Sequence, residues 1–242
     1  MKLFAASTLI ITALLLTHSS HAEWKHRGEL GAIVSSGNTE SITINAKEST
    51  VFQFQKNAFK FSGRLFLGSL NESLNARQWS LGLRYDRDLF ERFGAYLGEA
   101  IEGDSFAGYS YRLNSDIGGK ATLFSDPSNS HNIIKSELGY RYQLLRSTDE
   151  ALNLTAHSYL RGFIEGQIQF LGFHLFNAWI ELLPELNSSQ NIEINFETSF
   201  QVFFANQLSL KLGFLGMYSE IPKIKNLKKF DSIYTTSLVA TF

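Results

Sequence analysis

The chain has 242 residues, a formal net charge of -1, no cysteine and only three prolines. The lack of cysteine excludes disulfide bonds and thiol chemistry, and the balanced charge argues against nucleic acid and against polybasic attachment to lipid. No stretch rich in proline and serine suggests a linker, so one domain is predicted after any processing.

The N-terminal segment predicts export. Lys2 precedes a mostly apolar run over residues 3–16, and Ser20-His21-Ala22 follows it. This order is typical of a secretory signal peptide, and the run is shorter than the roughly 20 residues that a membrane-spanning helix requires. We expect cleavage after Ala22, which makes residues 1–22 a signal peptide and residues 23–242 the exported domain.

Apolar and polar residues alternate along the exported part, as they do on two-faced β-strands. In 191–204, for example, Ile192, Ile194 and Phe196 share one face, whereas Glu193 and Glu197 lie on the other. Strands are predicted at 24–36, 40–54, 58–69, 75–87, 93–103, 106–123, 131–144, 151–163, 168–183, 190–204, 207–218 and 229–242. Their even number and great length predict an all-β fold, an antiparallel transmembrane β-barrel of about 12 strands.

The alternation alone does not decide which face points outward, because a soluble barrel would bury its apolar face. Export and strand length favour a barrel in the bacterial outer membrane, with apolar side chains toward lipid and charged ones toward the lumen. Aromatic girdles are then expected near the two rims. One rim would hold Phe54, Phe59, Phe93, Phe124, Phe163, Phe170, Phe204 and Phe242, and the other Tyr109, Tyr142, Trp179, Tyr218 and Tyr234.

Three segments fit the alternation poorly. Glu48 falls on the apolar face of its strand, and a β-bulge there would turn it inward. Apolar residues over 89–101 fit a helical period better than a strand period. The stretch 171–183 is apolar on both faces, which indicates contact either with another subunit or with a filled lumen.

A membrane barrel would direct a set of charged side chains into its lumen. They are Lys60, Arg64, Arg84, Asp86, Arg112, Asp116, Lys120, Lys135, Glu137, Arg141, Glu193, Glu197 and Lys211. Basic residues outnumber acidic ones in this set, so a modestly cationic interior is predicted. Two interpretations stay open: paired charges that fill a narrow structural barrel, and a narrow, weakly anion-preferring pore.

The sequence offers little for catalysis. His26, His131, His157 and His174 lack the spacing of metal ligands, so neither a metal nor another cofactor is expected. An interfacial lipid hydrolase would need a histidine and a serine on one outward face. Because His157 and Ser158 are adjacent, they point to opposite faces, and we expect no catalytic residue and no enzymatic activity.

Two features predict partners. The last strand places Tyr234, Leu238 and Phe242 on one face and resembles the assembly signal that the barrel-insertion machinery reads. The loop over 220–230 carries Lys223, Lys225, Lys228 and Lys229, which either touch lipopolysaccharide phosphates or are simply solvated. Outer-membrane lipid is therefore an expected partner, whereas a homo-oligomer and docking through 171–183 remain alternatives.

The motif Ser36-Gly37-Asn38-Thr39-Glu40 after the first strand resembles the opening of the salt-induced outer-membrane protein family. The resemblance continues through Tyr85-Asp86, Tyr96, Asp104, Phe106, Gly108, Arg112, Gly119 and Asp231. It implies a twelve-stranded outer-membrane barrel with a role in osmotic or salt stress, and it favours a strand over a helix at 93–103. The motif Ser36, Gly37, Asn38, Thr39 is a tight turn on physical grounds, because glycine and asparagine tolerate positive φ. The family's motifs transfer no catalytic residue.

Overall fold

The computed structural model describes residues 22–35, 41–71, 73–148, 154–188, 190–221 and 228–242. These residues form long β-strands, from 11 residues in the shortest to 19 in the longest. The strands are β1 (Ala22–Ser35), β2 (Ser41–Phe54), β3 (Asn57–Leu70), β4 (Ser73–Asp88), β5 (Phe93–Asp104), β6 (Tyr109–Asp126), β7 (Asn129–Ser147), β8 (Leu154–Phe170), β9 (His174–Pro184), β10 (Ile192–Phe203), β11 (Leu208–Ser219) and β12 (Phe230–Thr241). No helix among the described residues is long and apolar enough to cross a membrane.

The strands form one closed antiparallel barrel, in which each strand pairs with its neighbours in the chain and β1 pairs with β12. The closing ladder is short and runs from Arg27↔Thr241 to Leu30↔Leu238. The β1–β2 ladder, by contrast, extends from Ala22↔Phe54 to Ser35↔Ser41. Closure removes free sheet edges, which is the condition for a sheet to exist in lipid.

The barrel exposes its apolar face and encloses its polar one. On β11, Lys211 faces the lumen and is 6% exposed, whereas its neighbour Leu210 lies on the outer surface and is 46% exposed. The same contrast holds on the other side of the barrel, where Leu138 is exposed and Glu137 is ion-paired within the lumen. The predicted twelve-stranded antiparallel barrel is therefore confirmed, and its inside-out polarity is that of a membrane barrel.

The structure resolves two of the three irregular segments as regular strands. Residues 93–104 form β5, so the helical alternative for 89–101 is wrong. The predicted bulge at Glu48 is also wrong, because pairing is continuous through Gly28↔Glu48 and Glu48↔Gly63. Glu48 stays on the outer face, where it accepts a hydrogen bond of 3.0 Å from Thr50 Oγ1. This local partner satisfies the carboxylate without any change in the backbone.

The third segment, 171–183, contributes to a filled lumen. The side chains of Leu175 and Leu183 are buried inside the barrel, and Trp179 also lies inside. Its ring centroid is 5.9 Å from that of Phe163, so both rings leave the rim positions predicted for them. The apolar side chains on the inward side of β9 pack in the lumen, and Trp179 is not available at the outer surface.

The two ends of the barrel differ. The short-turn end carries Ala22, Phe242 and the turns 55–56, 89–92, 127–128, 171–173 and 204–207. The long-loop end carries the remaining connections, of which 220–229 is the longest. The predicted turn Ser36–Thr39 and most of the predicted signal peptide lie outside the described residues.

Candidate functional site in the barrel lumen

One side of the lumen contains an arginine network, defined here as Arg84, Arg141 and Arg161 with Tyr96 and the carboxylates Asp86, Asp116, Glu137 and Glu181. Arg161 is 6% exposed; its Nε donates to Glu181 over 2.6 Å and its Nη1 to Glu137 over 2.6 Å. Both guanidinium edges of Arg84 are used as well, since it makes two hydrogen bonds to Asp86 and two to Glu137. Such planar, charge-assisted pairs are strong and geometrically specific.

Tyr96 lies at the centre of the arginine network. Its hydroxyl accepts a hydrogen bond from Arg161 over 2.9 Å, and the guanidinium carbon of Arg84 lies 4.2 Å from its ring centroid. The ring rests on Gly118 and Gly139, which face each other across β6 and β7. A Cβ at either glycine would collide with the Tyr96 hydroxyl and with backbone of the neighbouring strand. The glycine pair therefore makes the space in which Tyr96 orders two arginines.

A second ion-paired group lies nearer the long-loop end. Arg112 donates to Glu102 over 2.8 Å and reaches Glu193 on β10 over 3.5 Å. Asn114 also donates to Glu102, over 2.6 Å, and in turn accepts a hydrogen bond from the buried Gln143. These contacts connect β5, β6, β7 and β10 across the interior and stabilise it as packing.

The opposite side of the lumen, toward the short-turn end, contains a cavity of about 410 Å³ that we call the basic cavity. Its basic lining residues are Arg27, Lys47, Lys60, Arg64 and Lys211, and its acidic ones are Glu29, Glu48, Glu165 and Glu197. Lys211 is held between Glu29 and Glu197, at 3.2 and 2.9 Å. Lys47 shares Glu197, at 3.2 Å. Because Glu48 turns its carboxylate to the outer face, the cavity itself has a basic excess.

Two cations of the basic cavity have no carboxylate in contact with them, although Glu197 and Glu102 act on Arg64 at longer range. Arg64 and Lys60 form no ion pair with any described residue, and the buried Nε of Arg64 has no hydrogen-bond partner there. Both side chains project inward from β3. A buried guanidinium nitrogen normally has a partner, so Arg64 is the most unusual polar group in this lumen.

An apolar cluster separates the basic cavity from the long-loop end. Phe66, Leu215 and Ile233 form its buried core, and Trp179 and Met217 pack against it. Trp179 also lines the basic cavity, whereas Met217 lines a second cavity of about 90 Å³ with Arg112 and Asp231. The two cavities share no lining residue, and the apolar cluster contacts both of them, through Trp179 on one side and Met217 on the other.

The structure places most of the predicted lumen residues in three separate groups. Arg84, Asp86, Asp116, Glu137 and Arg141 join the arginine network, and Lys120 extends it through Asp86, at 3.4 Å. Arg112 and Glu193 join the group near the long-loop end, and Lys60, Arg64, Glu197 and Lys211 line the basic cavity. Lys135 is exposed, belongs to none of these groups and makes no ion pair within the described chain.

Sequence reasoning missed several partners, namely Glu29, Lys47, Glu102, Arg161 and Glu181. Each lies at a polar position of the alternation, so a stricter reading of strand parity would have found it. Glu181 was hidden because it lies within the stretch 171–183, which is otherwise apolar.

His157 and Ser158 point to opposite faces of β8. His157 Nδ1 lies 2.7 Å from Glu185 and its Nε2 lies 3.0 Å from Thr155, whereas the Ser158 hydroxyl bonds to Tyr140 at 2.8 Å. No cluster of three or more acidic or histidine side chains in the described part could hold a metal ion.

The closed barrel, its apolar exterior and its charged lumen define an outer-membrane-type, porin-like β-barrel. The chain belongs to the family described as "Protein of unknown function, DUF481", whose profile matches residues 28–242. No curated protein matches the sequence.

Among solved structures, the chain is similar to the translocator domain of the autotransporter NalP from Neisseria meningitidis, at 12% identity and a TM-score of 0.44, covering 100% of this chain and 95% of that one. It is also similar to the NanC porin, at 9% identity and a TM-score of 0.49, and to the KdgM porin, at 12% and 0.46. Each of these two matches covers 90% of this chain and 98% of the porin.

Proposed function

We propose that this barrel is a narrow, weakly anion-preferring pore in the outer membrane of a Gram-negative bacterium. The observation that carries the proposal is the basic cavity, which occupies part of the lumen and presents Lys60 and Arg64 without an ion pair to any described residue. Basic side chains around an aqueous path favour anions. Narrowness follows from the apolar cluster, which restricts the lumen beyond the cavity.

The orientation follows from the two ends of the barrel. Short turns of bacterial barrels face the periplasm and longer loops face outside, so the basic cavity would open toward the periplasm. Export by a signal peptide cleaved after Ala22 is part of this proposal. Tyr234 and Leu238 lie on the outer face of β12 and Phe242 is exposed beyond it, where the barrel-insertion machinery could read them.

A role in osmotic or salt stress rests on the resemblance to the salt-induced outer-membrane family alone. A narrow pore fits such a role because it lets small ions equilibrate while it retains larger solutes. Measuring transcript and protein levels after a rise in external salt tests this part separately from conduction, and unchanged levels would remove it.

The pore is tested by single-channel recording. Residues 23–242 are refolded into a planar bilayer, folding is verified by heat-modifiable gel migration, and current is recorded across a salt gradient. We expect small discrete steps with a preference for anions. A folded barrel that gives no steps, or one that prefers cations, contradicts the proposal.

A structural barrel without conduction is the second candidate, and the arginine network favours it. That network binds strands β4 to β9 together through the lumen, as packing would. In either case we propose no enzymatic activity, since His157 and Ser158 are directed to opposite faces. Release of fatty acid from phospholipid by the refolded wild type but not by Ser158→Ala would overturn this.

Contact with lipopolysaccharide is proposed for the loop between β11 and β12. Lys223 and Lys225 lie outside the described residues, whereas Lys228 and Lys229 immediately precede β12. Lys229 pairs with Glu220, and this hydrogen bond lowers the pKa of Glu220 below its usual value. Phosphate groups of lipid would therefore compete with Glu220 for Lys229, while Lys228 could engage them directly.

A further inference from the structure

We propose that the basic cavity binds a small hydroxylated organic anion, a sugar-sized polyol with one carboxylate or phosphate group, and that Arg64 is its principal anchor. This inference names the solute class of the pore proposed above and in that sense rests on it. It begins from Arg64, whose buried Nε has no partner although it lines the cavity.

The geometry around Arg64 is that of a built site. In the arginine network each guanidinium is matched by carboxylates, at distances down to 2.6 Å. Arg64 has the same chemistry, a planar set of donors that matches a carboxylate or a phosphate. No carboxylate of the described residues is in contact with it, and Glu197 and Glu102 act on it only at longer range. Arg64 as a whole is only partly buried and lines the cavity, so its terminal Nη donors, rather than the sealed Nε, would meet a solute oxyanion there.

Lys60 supplies a second positive charge on the same face of β3. Residues four apart on a strand are separated by about 13 Å along it, so Lys60 lies nearer the mouth of the cavity and Arg64 lies deeper inside. Lys60 is exposed toward the short-turn end and has no ion pair with a described residue. It would attract the anion at the mouth of the cavity, and Arg64 would hold it inside.

The remaining lining suits a hydroxylated body. Hydroxyl and amide side chains line the cavity, and an indole lies on its inner wall; the hydroxyl and amide residues are Ser49, Ser62, Ser80, Gln167, Asn177, Ser199 and Gln201. Neutral donors and acceptors of this kind bond to solute hydroxyls, and the ring of Trp179 offers an apolar face against which C–H groups pack. A volume of about 410 Å³ accommodates a ligand of that size.

The test is calorimetric titration of the folded, detergent-solubilised barrel with glucuronate, glucose 6-phosphate and glucose. We expect both anions to bind and glucose to bind at least about tenfold more weakly, because a charge-assisted pair with arginine is lost. Comparing glucuronate with glucose 6-phosphate distinguishes a carboxylate from a phosphate. The variant Arg64→Gln should weaken anion binding by about tenfold or more.

Lys135→Gln is the matched control, since it removes an exposed, unpaired lysine that does not line the cavity, and it should bind like the wild type. Glucose binding as tightly as glucuronate, undiminished binding to Arg64→Gln, or no binding of either anion to the folded wild type would each overturn the inference. If the barrel conducts chloride but binds neither anion, the pore proposal stands and only the binding site is contradicted. If the barrel does not conduct but binds the anions through Arg64, the binding site stands and the pore proposal is contradicted.

Discussion

The arginine network and the basic cavity contain the same residue types in the same lumen, but the arginines are ion-paired in the network and Arg64 is not ion-paired in the cavity. In the network, Arg161 is matched by Glu137 and Glu181 at 2.6 Å and is bonded to Tyr96. In the cavity, the Nε of Arg64 has no hydrogen-bond partner and Lys60 forms no ion pair with a described residue. Charge inside a barrel is therefore not by itself a sign of a pore. Only the uncompensated part of that charge is free to act on a solute.

The largest effect on stability is expected in the network. Arg161→Met should lower the free energy of unfolding by about 4 kcal/mol, because Glu137 and Glu181 would remain buried without their shared cation. Urea unfolding of the detergent-folded barrel measures this. Arg161→Lys is the informative companion, since one ammonium cannot reproduce the fork that joins the two carboxylates. A loss below about 1 kcal/mol would mean that the arginine network contributes little to the stability of the barrel.

The apolar cluster borders the basic cavity through Trp179, and opening it should affect both stability and conduction. Phe66→Ala is expected to lower the free energy of unfolding by about 3 kcal/mol and to increase single-channel conductance, because it removes a ring from the constriction. Phe61→Ala on the outer face of β3 is the control, since Phe61 is exposed toward lipid. Equal conductance in wild type and Phe66→Ala would place the limiting constriction elsewhere.

Lys60→Gln should leave stability within about 0.5 kcal/mol of the wild type, because the side chain is exposed and unpaired. Urea unfolding, the assay used for Arg161→Met, measures this free energy and allows the two variants to be compared directly. A cost comparable to that of the network would show that Lys60 has a partner that supports the fold.

The smallest effect on the barrel is expected outside the lumen. Replacing Lys223, Lys225, Lys228 and Lys229 with glutamine should leave the free energy of unfolding unchanged while reducing lipopolysaccharide copurification. Quantitative phosphate analysis of the purified barrel measures the latter. Unchanged copurification of lipopolysaccharide would contradict the proposed lipid contact. It would not affect the conclusions about the arginine network and the basic cavity.

The fold was predictable because strand alternation is a local property. The strand predicted at 24–36 is Ala22–Ser35, and the one predicted at 190–204 contains Ile192–Phe203. The same parity placed Arg84, Arg141 and Lys211 inside. The bulge predicted at Glu48 was wrong because the Glu48 carboxylate accepts a hydrogen bond from Thr50 on the outer face. The alternation of apolar and polar residues does not reveal such a side-chain bond.

The division of the lumen could not be predicted in the same way. Lys47 meets Glu197 across 150 positions of sequence, and Arg84 meets Glu137 across 53. Which inward residues of distant strands share a height depends on the stagger of the closed barrel, and no single strand reveals it. The apolar stretch 171–183 left two interpretations open for the same reason, since only the closed barrel places Trp179 against the apolar cluster.

The most direct test of the pore is the reversal potential across a KCl gradient, recorded for the wild type, the double variant Lys60→Gln/Arg64→Gln and the control Lys135→Gln. Our account predicts an anion-selective potential in the wild type and in the control, and a shift toward zero or toward cation selectivity in the double variant. Identical potentials in all three would show that the uncompensated cations of the basic cavity do not lie on the conduction path, and would contradict the account.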